Sequence, residues 1–125
     1  MSQISVRYIV ADVASAITFY TERLGFRLDM HPAPGFAMVS RGELRLLLSR
    51  PGGPGGGGQA MPSGELPEPG GWNRIQLEVE DLAAVASDLK AAGVPFRNEI
   101  VTGMGGKQVL VEDPSGNRVE LFQPA

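Results

Sequence analysis

Apolar Ile4, Val6, Tyr8 and Val10 alternate with Ser5, Arg7 and Ile9, the period of a strand buried on one side. Asp12 follows, a residue whose carboxylate caps a helix by accepting from its free amides. Val13, Ile17, Tyr20 and Leu24 then share one helical face, with Ala16 and Phe19 beside them. Gly25 stops that helix. Phe26 to Met30 reads as a strand, Pro32 to Gly35 as a loop, and Phe36–Ser40 with Leu44–Ser49 as a hairpin through Arg41-Gly42-Glu43.

The same order returns in the second half. Ile75, Leu77 and Val79 alternate with Arg74, Gln76 and Glu78, and Asp81 precedes a helix carrying Leu82, Val85, Leu89 and Ala92 up to Gly93. Phe96–Val101, Gln108–Glu112 and Arg118–Gln123 supply three strands, the last two joined by the turn Asp113-Pro114-Ser115-Gly116. This predicts an α+β protein of two βαβββ modules, residues 1–50 and 72–125. A repeat at half the chain length means two copies of one unit, and such a pair usually encloses a site. Residues 51–71 between them are about two-thirds glycine plus proline, which predicts a flexible linker.

Composition narrows the chemistry. The chain has 125 residues, 42% of them hydrophobic, and a formal charge of -3. That balance argues against nucleic acid as a partner. Cysteine is absent, which removes disulfides, thiolate nucleophiles and thiolate metal sites and suits a reducing cytoplasm. The stretch Met1 to Arg7 has no apolar signal region, and no apolar run reaches the roughly 20 residues needed to cross a bilayer. The expectation is a cytoplasmic protein with no membrane partner.

Two glycine clusters fail as phosphate loops. Gly53-x-Gly55-x-x-Gly58 matches a dinucleotide motif formally, but Pro62 soon follows where a phosphate-binding helix is needed. Gly103-Met104-Gly105-Gly106-Lys107 has Val101 in place of the first glycine and Gln108 where magnesium needs Ser or Thr. It reads as a flexible rim loop. The single His31 has no sequence partner for a nucleophile relay and reads as a surface or rim residue. Trp72 stands before the second module's first strand, either as an aromatic wall of the site or as an anchor for the linker. Phe19 and Tyr20 read as core.

Paired βαβββ modules, the segment Asp12 to Gly25, and a closing Asp-Pro-x-Gly-Asn-x-x-Glu-Leu stretch at 113–121 together resemble the vicinal oxygen chelate superfamily. That group contains glyoxalase I, bleomycin-resistance proteins and extradiol dioxygenases. The resemblance implies a partly closed, curved mixed sheet around a cavity, commonly within a homodimer. It also implies four cavity-facing metal positions, which fall here on Ser5, Leu47, Arg74 and Glu120. Only Glu120 has suitable chemistry. A divalent cation needs several oxygen or nitrogen ligands, and Arg74 would set a permanent charge against it. At roughly 4 Å that repulsion is several kcal/mol even at an effective dielectric near 20. The expectation is therefore no metal and no other cofactor, with a divalent metal as the alternative.

Under that fold, alternation turns Ser5, Arg7, Arg45, Leu47, Arg74, Gln76, Glu78, Glu120 and Phe122 inward. Ile4, Val6, Leu44, Leu46, Ile75, Leu77, Val119 and Leu121 turn toward the helices. Arg74 and Glu120 should form an ion pair where the metal would stand. That pair either fills the cavity or lets Arg74, with Arg7 or Arg45, offer a forked donor to an anion. The expected ligand-binding set is Ser5, Arg7, Arg45, Leu47, Trp72, Arg74, Gln76, Glu120 and Phe122. Three functions follow as alternatives: sequestration of a neutral or anionic small molecule without metal, a metal-dependent glyoxalase-like lyase, isomerase or dioxygenase using Glu120, or metal-free acid–base catalysis by Glu120 with Arg74 as stabiliser. Whether any reaction occurs is left open by the residues.

Overall fold

A computed structural model of the chain describes residues 4–53 and 57–125. The N-terminal reading of Met1 to Gln3, and Pro54 to Gly56 of the glycine-rich stretch, lie outside it. The chain separates into two compact units, Met1–Gly70 and Gly71–Ala125. Each holds one four-stranded mixed sheet and one helix, an α+β architecture.

The first unit runs β1 (Ile4–Ile9), α1 (Val13–Thr18), a wide π turn (Phe19–Arg23), β2 (Arg27–Ala33), β3 (Phe36–Arg41) and β4 (Leu44–Ser49). The sheet order is β1-β4-β3-β2, with β1 parallel to β4 and the other pairs antiparallel. The second unit runs β5 (Ile75–Glu78), α2 (Leu82–Ala91), β6 (Val101–Thr102), β7 (Gly106–Glu112) and β8 (Arg118–Pro124). Its order, β5-β8-β7-β6 with β5 parallel to β8, repeats the first. A parallel pair needs a crossover connection, and in both units it begins with the capped helix.

Both aspartates cap as their positions imply. Asp12 accepts from the Ala14 amide at 3.1 Å and Asp81 from the Ala84 amide at 3.1 Å. A cap invisible in the sequence joins the second helix to its sheet, where the Leu82 amide donates to Gln123 Oε1 at 2.9 Å. One sheet face is apolar in each unit. In the first, Val39, Leu46 and Leu48 are wholly buried with Val13 and Ala16 of the helix. Tyr20 sits there at 0% exposure, its ring edge-on to Tyr8, Phe19 and Phe26. In the second, Val109, Val111, Val119 and Leu121 meet Leu82, Ala86 and Leu89. Fully burying one such aliphatic side chain contributes roughly 1.5–3 kcal/mol, so these faces hold the helices in place.

Several expectations change. The first helix is regular only to Thr18, and its last turn widens so that the Phe26 amide reaches the Tyr20 carbonyl. The loop expected over Pro32 to Gly35 shrinks to a tight turn at Pro34-Gly35, since β2 extends to Ala33. The strand expected over Phe96–Val101 shrinks to Val101–Thr102 and a lone bridge from Phe96 to Val111. The cause is local: the Leu110 amide, which would extend the ladder, donates to the Asn98 side chain at 2.9 Å. Gly106 and Lys107, read as loop, open β7. Ile4, expected against the helices, is 73% exposed, because α1 lies over β3 and β4 while β1 is an edge strand.

The glycine-rich stretch also carries structure. The Gly52 amide donates to the Gly58 carbonyl at 2.6 Å and the Gly53 amide to Arg50 at 3.0 Å. These bonds join Gly52 to Gly58 and Gly53 to Arg50, just beyond the end of β4. Farther on, the Met61 amide donates to Glu65 and the Gly64 amide to Met61, both at 2.8 Å.

Candidate functional site

In the second unit the closing motif builds the site. Asp113, 2% exposed, accepts from the Ser115 and Asn117 amides at 2.9 and 2.8 Å and from the Asn117 side chain at 2.9 Å. Gly116 takes φ 84°, a conformation that costs glycine little. The chain leaves this turn as β8, so Glu120 falls two residues beyond Arg118 on the face opposite Val119 and Leu121.

Glu120 is 6% exposed, and a buried carboxylate needs partners. Arg74 supplies two donors to one oxygen, Nε at 3.0 Å and Nη2 at 2.8 Å to Oε1. Gln76, directly opposite on β5, donates to Oε2 at 2.6 Å. The third Arg74 nitrogen, Nη1, reaches the Trp72 carbonyl at 3.5 Å. Phe122 is half-buried on the same face, opposite Glu78 and Gln108. Trp72 is 69% exposed, and the Arg118 guanidinium lies 4.0 Å from its ring centre. Arg118 also donates to the Gly71 carbonyl. The anchoring role of Trp72 at the end of the glycine-rich stretch thus has a partner.

This donor set does not fit a divalent cation. Both Glu120 oxygens already accept from a cation or an amide, and the guanidinium occupies the place beside them. Among the described residues no group of three or more His, Cys, Asp or Glu side chains is placed to hold a metal ion.

The corresponding face of the first unit is different in charge. Opposite Ser5 stands Arg45, and opposite Arg7 stands Leu47. Arg45 Nε donates to Ser5 Oγ at 2.9 Å and Arg7 Nη1 to Ser49 Oγ at 2.8 Å. Leu47 is half-buried beside Met38 of β3. Arg27 donates to Asp29 at 3.0 Å and to Ser40 at 3.2 Å. A hydrogen bond from Ser40 chiefly holds the Asp29 carboxyl below the usual range, helped by Arg27 and by the charge of Arg45 against the opposing effect of burial. Ser40 and Ser49 are 6% and 3% exposed. Neither serine was singled out from the sequence, although alternation from Leu47 points to Ser49.

The expected site residues thus fall in two sets: Ser5, Arg7, Arg45 and Leu47 on the first sheet, and Gln76, Glu120 and Phe122 on the second sheet with Trp72 and Arg74 just before β5. Arg74 engages Glu120 through Nε and Nη2 and the Trp72 carbonyl through Nη1. His31 is exposed on β2 and lines a cleft of about 410 Å³ with Asp12 and Arg50.

The two repeated sheets, with their parallel first and last strands and polar faces, are those of one family. The model of the Glyoxalase/Bleomycin resistance protein/Dioxygenase superfamily matches residues 3–121, and the chain belongs to that superfamily. It is 27% identical over 127 residues to the uncharacterized protein YwbC of Bacillus subtilis (strain 168), covering 92% of this chain and 91% of that one. Among solved structures it resembles TnmS3, an antibiotic binding protein from Streptomyces sp. CB03234, at 25% identity and TM-score 0.76, covering 100% of this chain and 98% of that one. A superfamily member from Sphaerobacter thermophilus DSM 20745 gives 25% identity and TM-score 0.77 over 98% and 97%. Lactoylglutathione lyase from Agrobacterium tumefaciens, at 20% identity and TM-score 0.73 over 98% and 92%, shares the fold.

Proposed function

We propose that this protein binds a neutral or anionic small molecule on its polar sheet faces without a metal, and acts by sequestering it. The observation that carries this reading is the closed cluster at Glu120. Its oxygens accept from Arg74 at 2.8 and 3.0 Å and from Gln76 at 2.6 Å, so the one candidate ligand of the family's metal set is already coordinated by the protein's own cation. A metal-dependent reaction through Glu120 would first have to break that ion pair. The likeness to an antibiotic binding protein at 25% identity supports binding as the activity. The reading takes the protein to be a cytoplasmic homodimer, and sedimentation at micromolar concentration tests the dimer.

The metal question is tested by elemental analysis of purified protein and calorimetric titration with nickel, zinc, manganese and iron. No stoichiometric uptake is expected. Uptake of one metal per chain that disappears in Glu120→Ala would overturn the proposal. A thermal-shift screen of small molecules tests the binding half, because a ligand that prefers the folded state raises its melting temperature by mass action.

A further inference from the structure

We infer that the anionic group of the ligand is held by the first unit, on Arg7 and Arg45, and not by Arg74. This rests on the binding reading above and names its ligand class: a small molecule carrying an oxyanion, carboxylate or phosphate.

The charge balance of the two faces separates them. In the second unit Arg74 is ion-paired with Glu120 at 2.8 Å and Arg97 with Glu112 at 3.5 Å. An anion arriving there would compete with carboxylates already in place. In the first unit, among the described residues, Asp29 is ion-paired with Arg27, and the Arg45 charge acts on it only at longer range. Among the described residues neither Arg7 nor Arg45 is ion-paired. Their hydrogen-bond partners are serine hydroxyls, Ser49 and Ser5. A hydroxyl can aim a guanidinium, but it carries no charge to cancel it.

The donors left over suit an oxyanion. Arg45 uses only Nε in its bond to Ser5, so both terminal nitrogens of its fork have no partner among the described residues. Arg7 uses only Nη1. Ser5 and Ser49 accept from the arginines, which leaves each hydroxyl proton able to donate. Ser5 and Arg7 sit two residues apart on β1, with Arg45 directly across from Ser5 on β4. The two arginines therefore occupy diagonal positions on neighbouring parallel strands, on one face of the sheet. Arginine's planar fork suits the paired oxygens of a carboxylate or phosphate.

Gly57 gives the arrangement a second support. A Cβ there would collide with Arg7 Nη1 and with the central carbon of its guanidinium. The glycine-rich loop thus lies against the guanidinium, and only a residue without a side chain leaves it in position. Gly57→Ala therefore has to displace the end of the Arg7 side chain.

The test compares benzoate and inorganic phosphate with neutral benzamide, at constant ionic strength, by thermal shift and calorimetry. Wild type, Arg7→Gln, Arg45→Gln, Arg74→Gln and Gly57→Ala are measured. Benzoate or phosphate should stabilise wild type and Arg74→Gln, and bind about tenfold or more weakly to Arg7→Gln and Arg45→Gln, the loss of one charge-assisted bond. Gly57→Ala should melt like wild type without ligand yet bind the anion more weakly. Whichever of benzoate and phosphate binds more tightly identifies the oxyanion. Anion binding that survives both Arg7→Gln and Arg45→Gln, or is lost only in Arg74→Gln, overturns the inference while the binding reading stands. If no anion, benzamide or screened compound stabilises wild type, both fall together.

Discussion

Two nitrogens of the Arg74 guanidinium converge on one oxygen of Glu120, at 3.0 and 2.8 Å, while the other oxygen accepts from Gln76. The two partners are unequally buried, the Glu120 side chain at 8% exposure and that of Arg74 at 28%. Removing either one therefore has different consequences.

Arg74→Ala leaves a buried carboxylate with only Gln76 as donor and should cost about 2–3 kcal/mol, less than a fully buried pair because Arg74 is partly exposed. Glu120→Ala frees an arginine that can turn to water and should cost about 1 kcal/mol less. Urea denaturation of the two variants measures the difference, and equal costs would contradict the asymmetry.

The buried Asp113 closes the turn before β8 with three accepted hydrogen bonds. In Asp113→Ala the Asn117 amide and side chain, which lie in a buried residue, lose their acceptor. The expected loss is about 2–3 kcal/mol, seen as a lower urea midpoint with an unchanged slope. Asp113→Asn, which keeps an acceptor oxygen, should recover part of it.

Trp72 is the sole tryptophan of the chain and is 69% exposed over Arg118. The protein's tryptophan emission should therefore be red-shifted and readily quenched by acrylamide. Arg118→Ala should change emission and cost only about 0.5–1 kcal/mol, the range for exposed cation–π pairs. A blue-shifted, poorly quenched spectrum would place the ring elsewhere.

Asp12 titrates below its ordinary value of 3.8, chiefly because the Ser15 hydroxyl donates to it at 2.6 Å, with the Ala14 and Ser15 amides assisting against a small opposing effect of burial. A folded pKa lower than the unfolded one means the unfolded chain binds the proton more readily. This contribution to stability is present above pH 3.8 and is lost as pH falls through the depressed folded value. Stability measured from pH 6 down to pH 2 (roughly the range in which carboxylates titrate) should fall less steeply in Asp12→Asn, which keeps a capping oxygen but has no proton to gain. Identical slopes would remove Asp12 as a contributor.

Periodicity carried the architecture. Alternation at Ile4–Val10 and Ile75–Val79, helical spacing after Asp12 and Asp81, and the Asp113–Gly116 turn are local signals, written by which side of each element meets the core. The ion pair of Arg74 and Glu120 was also legible, since the family resemblance set both residues at cavity-facing positions. Failures came where a side chain replaced a backbone partner or where the backbone changed its winding. Asn98 takes the Leu110 amide and cuts short the Phe96 strand, and the turn after Thr18 widens around the buried Tyr20.

The pattern of apolar and polar positions by itself determined two βαβββ units and the faces on which Ser5, Arg7, Arg45, Arg74 and Glu120 stand. Only the tertiary structure decided that Arg7 and Arg45 are held by serine hydroxyls rather than by carboxylates. Residue type records that a guanidinium is present. Whether its neighbour 40 or more positions away is a carboxylate, as at Arg74, or a hydroxyl, as at Arg7 and Arg45, depends on strand register, and register is a property of the folded chain.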